Sequence, residues 1–326
     1  MESKYNDLTH DSFIEDILSG LKKESVSIRR NEDLALKTTF RIGGKARFFL
    51  EPLSEEALGE IVRVFSLHGI SWKILGAGSN VLVSDKGIRD PVISLLSCKS
   101  SITPVSESSI STGGGIIAKR LTISVDGGVK VRKLLGLCIR MGWSGCEFLA
   151  GIPATIGGAV FMNAGTSDGA MADVVSSIDI MEPSGKVSCI SRDHFSPGYR
   201  SSGIPDGHIV LGARIGLVKT SPEKVAERIK MIIMRRKSTQ PINYPSAGCI
   251  FKNPPPDYPP AGWLIDRCGL KGYRIGDAQV SPIHANWIVN LGNATATDVL
   301  RLIDYVKAEV LKTFGIQLEE EIRFWE

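Results

Sequence analysis

One cysteine occupies a position where a thiol could take part in chemistry. Cys249 lies between a glycine and an apolar pair in the segment YPSAGCIFKNP (Tyr244–Pro254), whose composition is otherwise typical of a turn. A thiol there could pack as a small hydrophobic group, bind a metal ion or donate a proton. The other five cysteines are widely scattered, and none forms a CxxC pair. This spacing argues against a zinc site, so we expect no bound metal.

Three glycine-rich segments are the second feature with chemical potential: FRIGGKA (Phe40–Ala46), ILGAGSNVLVSD (Ile74–Asp85) and GIPATIGGAVFMNAG (Gly151–Gly165). Glycines permit a close approach of the backbone to a ligand, and successive N–H groups in such turns face anionic oxygens. None of the segments matches GxGxxG, which disfavours a Rossmann nucleotide fold. The third segment is too rich in glycine for a stable helix and too apolar for a solvent loop. Together they favour a cradle for a large, partly apolar ligand, such as a flavin with its pyrophosphate.

Periodic apolar patterns place these segments on a framework of helices and strands. The first α/β unit has a predicted strand (Ala46–Pro52), a helix capped by Ser54 and closed by Gly69, and a strand that runs into Gly76. The middle of the chain mixes strands, among them SISTGGG (Ser109–Gly115), with a helix that ends at Gly142.

The last region is predicted to contain three regular elements. A helix follows Ser221, a second spans Thr295–Gly315, and IQLEEEIRFW (Ile316–Trp325) reads as a strand. The predicted domains are a helical lead-in (1–30), two regions that together hold the cradle (31–97 and 98–219) and a C-terminal domain (220–326).

Composition limits the class of protein. The chain has 326 residues, 43% of them hydrophobic and 23% charged, with a net charge of +4. The length indicates two or three domains. The mild positive charge suits an anionic substrate and lacks the clustered basic face of a nucleic-acid-binding protein. No apolar run approaches the roughly 18 residues of a membrane span, and nothing resembles a signal peptide. We therefore expect a cytoplasmic protein with reduced thiols and no membrane or nucleic-acid partner.

Several motifs follow one another in the order found in one enzyme family. They are RIGGKA, ILGAGSNVLVSD, EFLAGIPATIGGAVFMNAG, GYRSS, YPSAGCIFKNP, the long run from AGWLIDRCGL to NATATDV, and FGIQLEEEIRF. From about residue 30 to residue 325, the chain resembles the UDP-N-acetylenolpyruvoylglucosamine reductases, and it is similar to the shorter class of that family.

The resemblance implies an α+β fold, with a two-part FAD-binding module of the vanillyl-alcohol-oxidase/PCMH type and a C-terminal α+β substrate-binding domain. It also implies non-covalent FAD, reduction of that FAD by NADPH, and hydride transfer to the enolpyruvyl ether of UDP-N-acetylglucosamine, giving UDP-N-acetylmuramate for peptidoglycan synthesis. Nicotinamide and substrate use the same flavin face in turn in this family. We expect the chain to act as a monomer.

Three residues match the catalytic positions of the family. Hydride arriving at C3 leaves negative charge at C2 and on the adjacent carboxylate, so the site needs cationic donors and then a proton. Arg200 in GYRSS matches the catalytic arginine, and Cys249 stands where the family carries Ser or Cys as proton donor. Glu321 in LEEEIRF matches the catalytic glutamate. On an alternating strand, Glu319 would share its face, so register alone does not choose between the two.

Further positions are predicted to bind the ligands. For the cofactor they are Arg41, Gly43, Gly44, Gly76, Gly78, Ser79, Asn80, Gly151, Ile152, Pro153, Thr155, Gly157, Gly158, Asn163 and Gly165. For the substrate they are Tyr199, Lys252, Asn253, Gln279 and Arg323. His284 in SPIHANW is a tempting acid–base group, but the family gives it no catalytic role, and we expect a structural histidine.

Two other functions are compatible with parts of the sequence. Another FAD-dependent oxidase or dehydrogenase of the same flavin fold would leave the C-terminal motifs unexplained. A non-enzymatic protein that binds a nucleotide sugar would not need Arg200, Cys249 and Glu321 together.

Overall fold

The computed structural model describes residues 2–21, 24–98, 100–111, 117–205 and 207–326. These residues form three lobes, each with its own sheet and its own buried apolar cluster. Thr112–Gly115 of the predicted strand SISTGGG lie outside the described residues. Within the described part, no helix is both long and apolar enough to cross a membrane.

The first lobe carries a four-stranded sheet in the order β1-β2-β5-β3. Its elements are α1 (Glu2–Ser19), β1 (Val26–Asp33), β2 (Lys45–Pro52), α2 (Glu55–Leu67), β3 (Lys73–Leu75), β4 (Val81–Val83) and β5 (Val92–Ser94). Helix α2 begins where predicted, because Ser54 Oγ accepts a hydrogen bond from the Ala57 N–H at 3.2 Å. The separate lead-in predicted for 1–30 is wrong. Strand β1 pairs with β2, and Ile14 and Leu18 of α1 are buried in this lobe's core.

The second lobe is built on a larger sheet in the order β12-β11-β13-β7-β6, with β8 also paired to β13. Its elements are β6 (Ile102–Ser111), β7 (Ile117–Asp126), α3 (Val131–Met141), β8 (Trp143–Ser144), α4 (Ile156–Phe161), β9 (Gly165–Thr166), β10 (Gly169–Ala170), α5 (Met171–Val174), β11 (Val175–Met181), β12 (Val187–Ser191), β13 (Ile209–Lys219) and α6 (Pro222–Thr239). The sequence pattern predicts that α6 opens the C-terminal domain. Instead this helix buries Val225 and Ile229 in the core of the second lobe, so the boundary lies after residue 239.

Helix α4 is a second difference from the sequence-based expectation. The segment Gly151–Gly165 is predicted to be too rich in glycine for a helix, yet a short helix forms at Ile156–Phe161. Thr155 caps it by accepting from the Gly158 N–H at 3.2 Å. A Cβ on Gly157 would lie 3.1 Å from the carbonyl oxygen of Val210, so glycine lets α4 pack closely on the sheet.

The C-terminal lobe packs two helices on a sheet in the order β14-β17-β16-β15. Its elements are β14 (Ser246–Cys249), α7 (Ala261–Arg267), β15 (Arg274–Ile275), β16 (Ala278–Val280), β17 (Trp287–Asn290), α8 (Ala296–Phe314) and β18 (Arg323–Trp325). Helix α8 follows the prediction: Thr295 and Asp298 form a capping box, and Gly315 ends the helix with φ 69°. The strand predicted over 316–325 is regular only in β18.

The end of the chain joins the C-terminal lobe to the first lobe. Strand β18 leaves its own lobe and pairs in parallel with β4. Asp85, just after β4, accepts hydrogen bonds from the backbone N–H groups of Ala296 and Thr297 at 2.7 and 3.0 Å, and from the Thr297 hydroxyl at 2.8 Å. This carboxylate therefore satisfies free donors at the start of α8 from another lobe.

We predict that Asp85→Ala lowers the free energy of unfolding by about 1–2 kcal/mol, because the start of α8 loses its cross-lobe acceptor. Urea unfolding followed by circular dichroism measures the change. Asp304→Ala, an exposed acid on the same helix, is the matched control and should change stability by less than about 0.5 kcal/mol. Equal effects of the two substitutions would contradict the assignment.

Candidate active site

A cavity of about 1350 Å³ opens where the three lobes meet. The first lobe contributes the turn Gly76–Asn80, and the second contributes Gly151–Ala159 and the last turns of α6. The C-terminal lobe contributes β14, Trp287 and the segment that holds Glu321. Two of the three predicted glycine segments therefore place their glycines on the same cavity, and the third, Phe40–Ala46, contributes Arg41.

Buried polar atoms without hydrogen-bond partners are concentrated in the lining of this cavity. Seven buried side-chain nitrogen or oxygen atoms in the described residues lack a hydrogen-bond partner, and five of them belong to residues that line the cavity. The five are Thr38 Oγ1, Arg200 Nε, Arg236 Nε, Gln240 Oε1 and Trp287 Nε1. Buried polar groups in native proteins are normally paired, so this cluster indicates a site for a polar ligand.

Close packing explains why the cradle needs glycine. A Cβ on Gly78, which has φ 65°, would lie 2.2 Å from the Lys37 carbonyl oxygen. A Cβ on Gly76 would lie 2.8 Å from Thr155 Oγ1, at the contact between the first two lobes. Both glycines hold the cavity wall together while leaving the backbone exposed to a ligand.

Most of the predicted cofactor residues line the cavity: Arg41, Gly76, Gly78, Ser79, Asn80, Gly151, Ile152, Pro153, Thr155, Gly157, Gly158 and Gly165. The side chain of Asn80 has a different task from the one expected. Its Nδ2 donates to the backbone oxygen of Glu321 at 3.0 Å, so it braces that residue from the first lobe.

Three predicted cofactor residues lie outside the cavity lining, and their contacts are with the protein itself. Cβ atoms on Gly43 and Gly44 would collide with Val83 and with the backbone of Gly87, so these glycines serve packing inside the first lobe. The side chain of Asn163 donates to the Gly198 carbonyl at 2.8 Å and accepts from the Ala172 N–H at 3.0 Å. It therefore supports the loop that precedes Arg200.

Cys249 reaches the cavity through an irregularity in β14. The pairing of β14 with β17 shifts register between Ser246 and Cys249, and Gly248 between them has φ 82° with no atom near its missing Cβ. Such bulges re-aim the side chain that follows them, and glycine adopts the required conformation without strain. Cys249 is half-buried and lines the cavity.

Glu321 comes to Cys249 by backbone pairing. The Glu321 N–H donates to the Ile250 carbonyl at 2.7 Å, and the Lys252 N–H donates to the Glu319 carbonyl at 2.8 Å. The chain after the cysteine is thus paired with residues 319–321. Glu321 faces Arg200, Glu320 binds Lys307 at 2.7 Å, and Glu319 pairs with Lys252 in an exposed position. Of the three carboxylates, only Glu321 lines the cavity.

Arg200 approaches from the second lobe on a tight turn. Its φ is 58°, a conformation that costs energy for a residue with a side chain and that recurs at functional sites. Its Nη1 donates to the Gly165 carbonyl at 2.9 Å, and its Nε lies 2.8 Å from Glu321 Oε1. The contact with Glu321 is an ion pair.

The surroundings keep the Cys249 thiol protonated. Burial and the Glu321 charge raise its pKa to about 11, although Arg200, Trp287 and Arg236 oppose the rise. Burial also raises the pKa of Glu321 above its usual value, against the effect of Arg200 and Lys252. Burial lowers the pKa of Arg200, but Glu321 and Tyr199 outweigh it and the net shift is upward. The arrangement therefore presents a fixed cation and a neutral acid side by side.

The predicted substrate residues occupy two places. Arg323 lines the cavity, and Tyr199 lies beside it, with its ring 5.2 Å from the Arg200 guanidinium and its hydroxyl accepting from the Asn253 N–H at 3.3 Å. Asn253 Oδ1 accepts from the Ala261 N–H at 3.1 Å, at the start of α7. Lys252 is near enough to lower the pKa of Glu321.

Gln279 and His284 lie outside the cavity lining. The Gln279 side chain donates to the Gly272 carbonyl at 3.1 Å, within the C-terminal lobe, so its predicted substrate contact has no support in the geometry. His284 Nδ1 accepts from the Asn286 N–H at 3.3 Å in a turn, in keeping with the structural role expected of it.

Sequence reasoning missed Arg236 and Trp287. Arg236 is a partly buried cation on α6, and burial lowers its pKa. It lies in the basic run MRRK, and nothing in the neighbouring sequence indicates that one of the two arginines is partly buried while the other is exposed. Trp287 looks like an ordinary core aromatic in the alternation of β17. Among the described residues, no group of three or more His, Cys, Asp or Glu side chains is placed to hold a metal.

Two family models match the chain. A model described as "FAD binding domain" matches residues 46–191, and one described as "UDP-N-acetylenolpyruvoylglucosamine reductase, C-terminal domain" matches residues 240–325. The expected α+β fold with an FAD-binding module is confirmed.

Curated proteins and a solved structure give the same result over nearly the whole chain. The UDP-N-acetylenolpyruvoylglucosamine reductase of Syntrophobacter fumaroxidans is 41% identical over 300 residues, covering 92% of this chain and 84% of that protein. The protein of that name from Halalkalibacterium halodurans is 37% identical over 312 residues, covering 95% and 98%. The crystal structure of UDP-N-acetylenolpyruvylglucosamine reductase from Thermus caldophilus matches with a TM-score of 0.73 at 34% identity, covering 92% of this chain and 99% of that one.

The cradle can be tested by a pair of glycine substitutions. Gly78→Ala should purify with little FAD, because the new Cβ meets the Lys37 carbonyl in the cavity wall and also takes a positive φ, at a cost of about 1–2 kcal/mol. Gly69→Ala has a similar φ of 63° but no atom within 4 Å of its Cβ, so it carries the conformational cost alone. Flavin absorbance per polypeptide is the readout. Equal flavin loss in both variants would contradict a specific role for Gly78.

Proposed function

The chain belongs to the UDP-N-acetylenolpyruvoylglucosamine reductase family, and from this premise we propose that it uses NADPH and FAD to reduce the enolpyruvyl ether of UDP-N-acetylglucosamine to UDP-N-acetylmuramate. The observation that carries the proposal is the meeting of Arg200, Cys249 and Glu321 on one wall of the cavity, each supplied by a different part of the chain.

The residues of the cavity fit FAD. The glycine turn Gly76–Asn80 and the segment Gly151–Gly158 offer backbone to a flat ring and to phosphate oxygens. The partly buried Arg236, whose Nε has no partner among the described residues, supplies a cation for an anionic group. The volume of about 1350 Å³ also leaves space for a second ligand. When bound and reduced by NADPH, FAD would supply the hydride that C3 of the enolpyruvyl group receives.

Arg200 is suited to hold the carboxylate of the enolpyruvyl group. A guanidinium remains charged at every physiological pH and matches a carboxylate with two parallel donors. As negative charge moves from C3 toward C2 and this carboxylate, a fixed cation already in place stabilises it without reorganisation. The Nη1 contact with Gly165 and the packing against Tyr199 hold the guanidinium in position.

Cys249 is suited to deliver the proton to C2. The C–H bond forms as the S–H bond breaks, and the electron pair of the S–H bond stays on sulfur as a thiolate, which then takes a proton from solvent. With a pKa of about 11, almost every molecule carries the thiol proton at neutral pH.

Glu321 contributes through its neutral form. Before substrate binds, the charge of Glu321 balances that of Arg200 across the 2.8 Å contact. A substrate carboxylate beside Arg200 would place two negative charges together, and a pKa already raised by burial favours protonation of Glu321. The protonated carboxyl can then donate a hydrogen bond to the developing enolate.

Two anaerobic half-reactions test the proposed function. NADPH should bleach the yellow flavin, and UDP-N-acetylenolpyruvoylglucosamine should restore the colour without oxygen. An oxidase of the same fold would be bleached by its alcohol substrate and would ignore the enolpyruvyl compound. A protein that only binds nucleotide sugars would not be bleached by NADPH. The proposal would be overturned if NADPH failed to bleach the flavin, or if the enolpyruvyl compound failed to restore its colour.

Substitutions of Cys249 test its role as proton donor. Cys249→Ser should keep turnover, because a hydroxyl can also give a proton. Cys249→Ala should be reduced by NADPH at the normal rate, but reoxidise with substrate slower by about 10²-fold or more. Stopped-flow absorbance follows both steps.

The matched control is Cys189→Ala, an exposed cysteine on β12, which should leave both half-reactions unchanged. Full reoxidation by Cys249→Ala would show that another group protonates C2.

A further inference from the structure

Trp287 and Cys249 lie opposite each other on neighbouring strands, and the indole N–H of Trp287 is the polar group nearest in character to a donor for the sulfur. The two residues are direct partners in the pairing of β14 with β17, and both line the cavity. Trp287 is only 8% exposed, and its Nε1 has no hydrogen-bond partner among the described residues. A buried N–H without a strong acceptor lowers the stability of the protein, so its retention beside a reactive thiol requires a physical reason.

The reason lies in what becomes of the sulfur during the reaction. A protonated thiol is a weak acceptor, so the indole N–H gains little from it in the resting protein. Once the proton has gone to substrate, the sulfur is an anion and a strong acceptor. We propose that Trp287 is a positioning residue whose indole N–H stabilises the thiolate formed on Cys249 when it protonates C2. This inference rests on the function proposed above.

A hydrogen bond that the indole makes only with the thiolate speeds proton transfer more than a hydrogen bond that it makes equally well with the thiol. It lowers the energy of the charged sulfur and leaves the resting state unchanged, so the gain appears in the rate. Without substrate, the charged groups that act on the same sulfur are Glu321, which opposes thiolate formation, and Arg200 and Arg236, which favour it. Once Glu321 is protonated beside the substrate carboxylate, its opposition is removed.

Neither arginine is free to serve the sulfur alone. Arg200 is paired with Glu321 and is placed to hold the substrate carboxylate, and Arg236 packs beside Gly151 on the cofactor side of the cavity. The neutral indole N–H on the neighbouring strand is the donor that remains. A hydrogen bond from the Trp287 side chain favours the thiolate and so lowers the pKa of the thiol, in opposition to burial and Glu321.

The central test is Trp287→Phe in the FAD-loaded enzyme, which removes the N–H and keeps an aromatic ring. Reduction by NADPH should be unchanged, whereas reoxidation by UDP-N-acetylenolpyruvoylglucosamine should slow about tenfold. The alkaline limb of the reoxidation rate should move to higher pH, because a thiol with a higher pKa stays protonated further into the alkaline range. Trp263→Phe, on α7 and outside the cavity lining, is the matched control and should behave as wild type.

Ionisation of the thiol can be measured apart from turnover. The rate at which iodoacetamide alkylates Cys249 near pH 9, resolved by peptide mass spectrometry against the exposed Cys189, reports the thiolate fraction. Trp287→Phe should lower this relative rate about tenfold. Replacing all five tryptophans with 5-fluorotryptophan, whose N–H is a stronger donor, should raise it. The fluorinated protein keeps the native side-chain shapes, so it decides the question alone if Trp287→Phe does not fold.

The outcomes separate the proposed function from the role of Trp287. If wild type is not reoxidised by the enolpyruvyl substrate, the proposed function fails. If wild type is reoxidised but Trp287→Phe matches it in rate, pH profile and alkylation, only the role of Trp287 is overturned. That role is overturned equally if fluorotryptophan leaves the relative alkylation of Cys249 unchanged.

Discussion

Backbone pairing between residues 250–252 and residues 319–321 is the constraint on which the candidate active site depends. It sets Glu321 beside the residue that follows the bulge at Gly248, and so fixes the distance between a carboxylate and a thiol that are 72 positions apart in sequence. The same segment continues as β18 onto the first lobe, and Asn80 holds the Glu321 carbonyl from that side. A small displacement of this segment would separate the acid from the cation and from the cofactor cradle together.

The residues of the candidate active site include a strained backbone position and several buried polar atoms without hydrogen-bond partners. Arg200 is held at a positive φ, and buried polar atoms on Arg236, Gln240 and Trp287 lack partners among the described residues. Each feature lowers the stability of the protein without its ligands. Ligands that fill the cavity would supply partners for Arg236 and Gln240, and the Cys249 thiolate would supply one for Trp287. The lobes around the cavity are otherwise conventionally packed, each on an apolar cluster of its own. Backbone strain and unpartnered buried polar atoms are therefore concentrated in the cavity where the chemistry is proposed.

Sequence patterns predicted the local elements well and their partners less well. Helix α8 and the cap at Ser54 follow from short-range signals, which act within one turn of helix. The lobe to which α6 belongs cannot be predicted in this way. An apolar stripe shows that a helix packs against something, but it does not identify the surface against which the helix packs. The resemblance named Arg200, Cys249 and Glu321, and the structure brings them together. Nothing local marked Trp287, since its unpartnered N–H exists only once two strands have paired.

A crystal structure of the FAD-loaded enzyme with bound UDP-N-acetylenolpyruvoylglucosamine is the most direct test of the central claim. The enolpyruvyl carboxylate should lie against the Arg200 guanidinium, with Glu321 at the same group and Cys249 Sγ within about 3.5 Å of C2. An enolpyruvyl group bound elsewhere in the cavity, out of contact with Cys249 and Glu321, would contradict the roles proposed for these two residues.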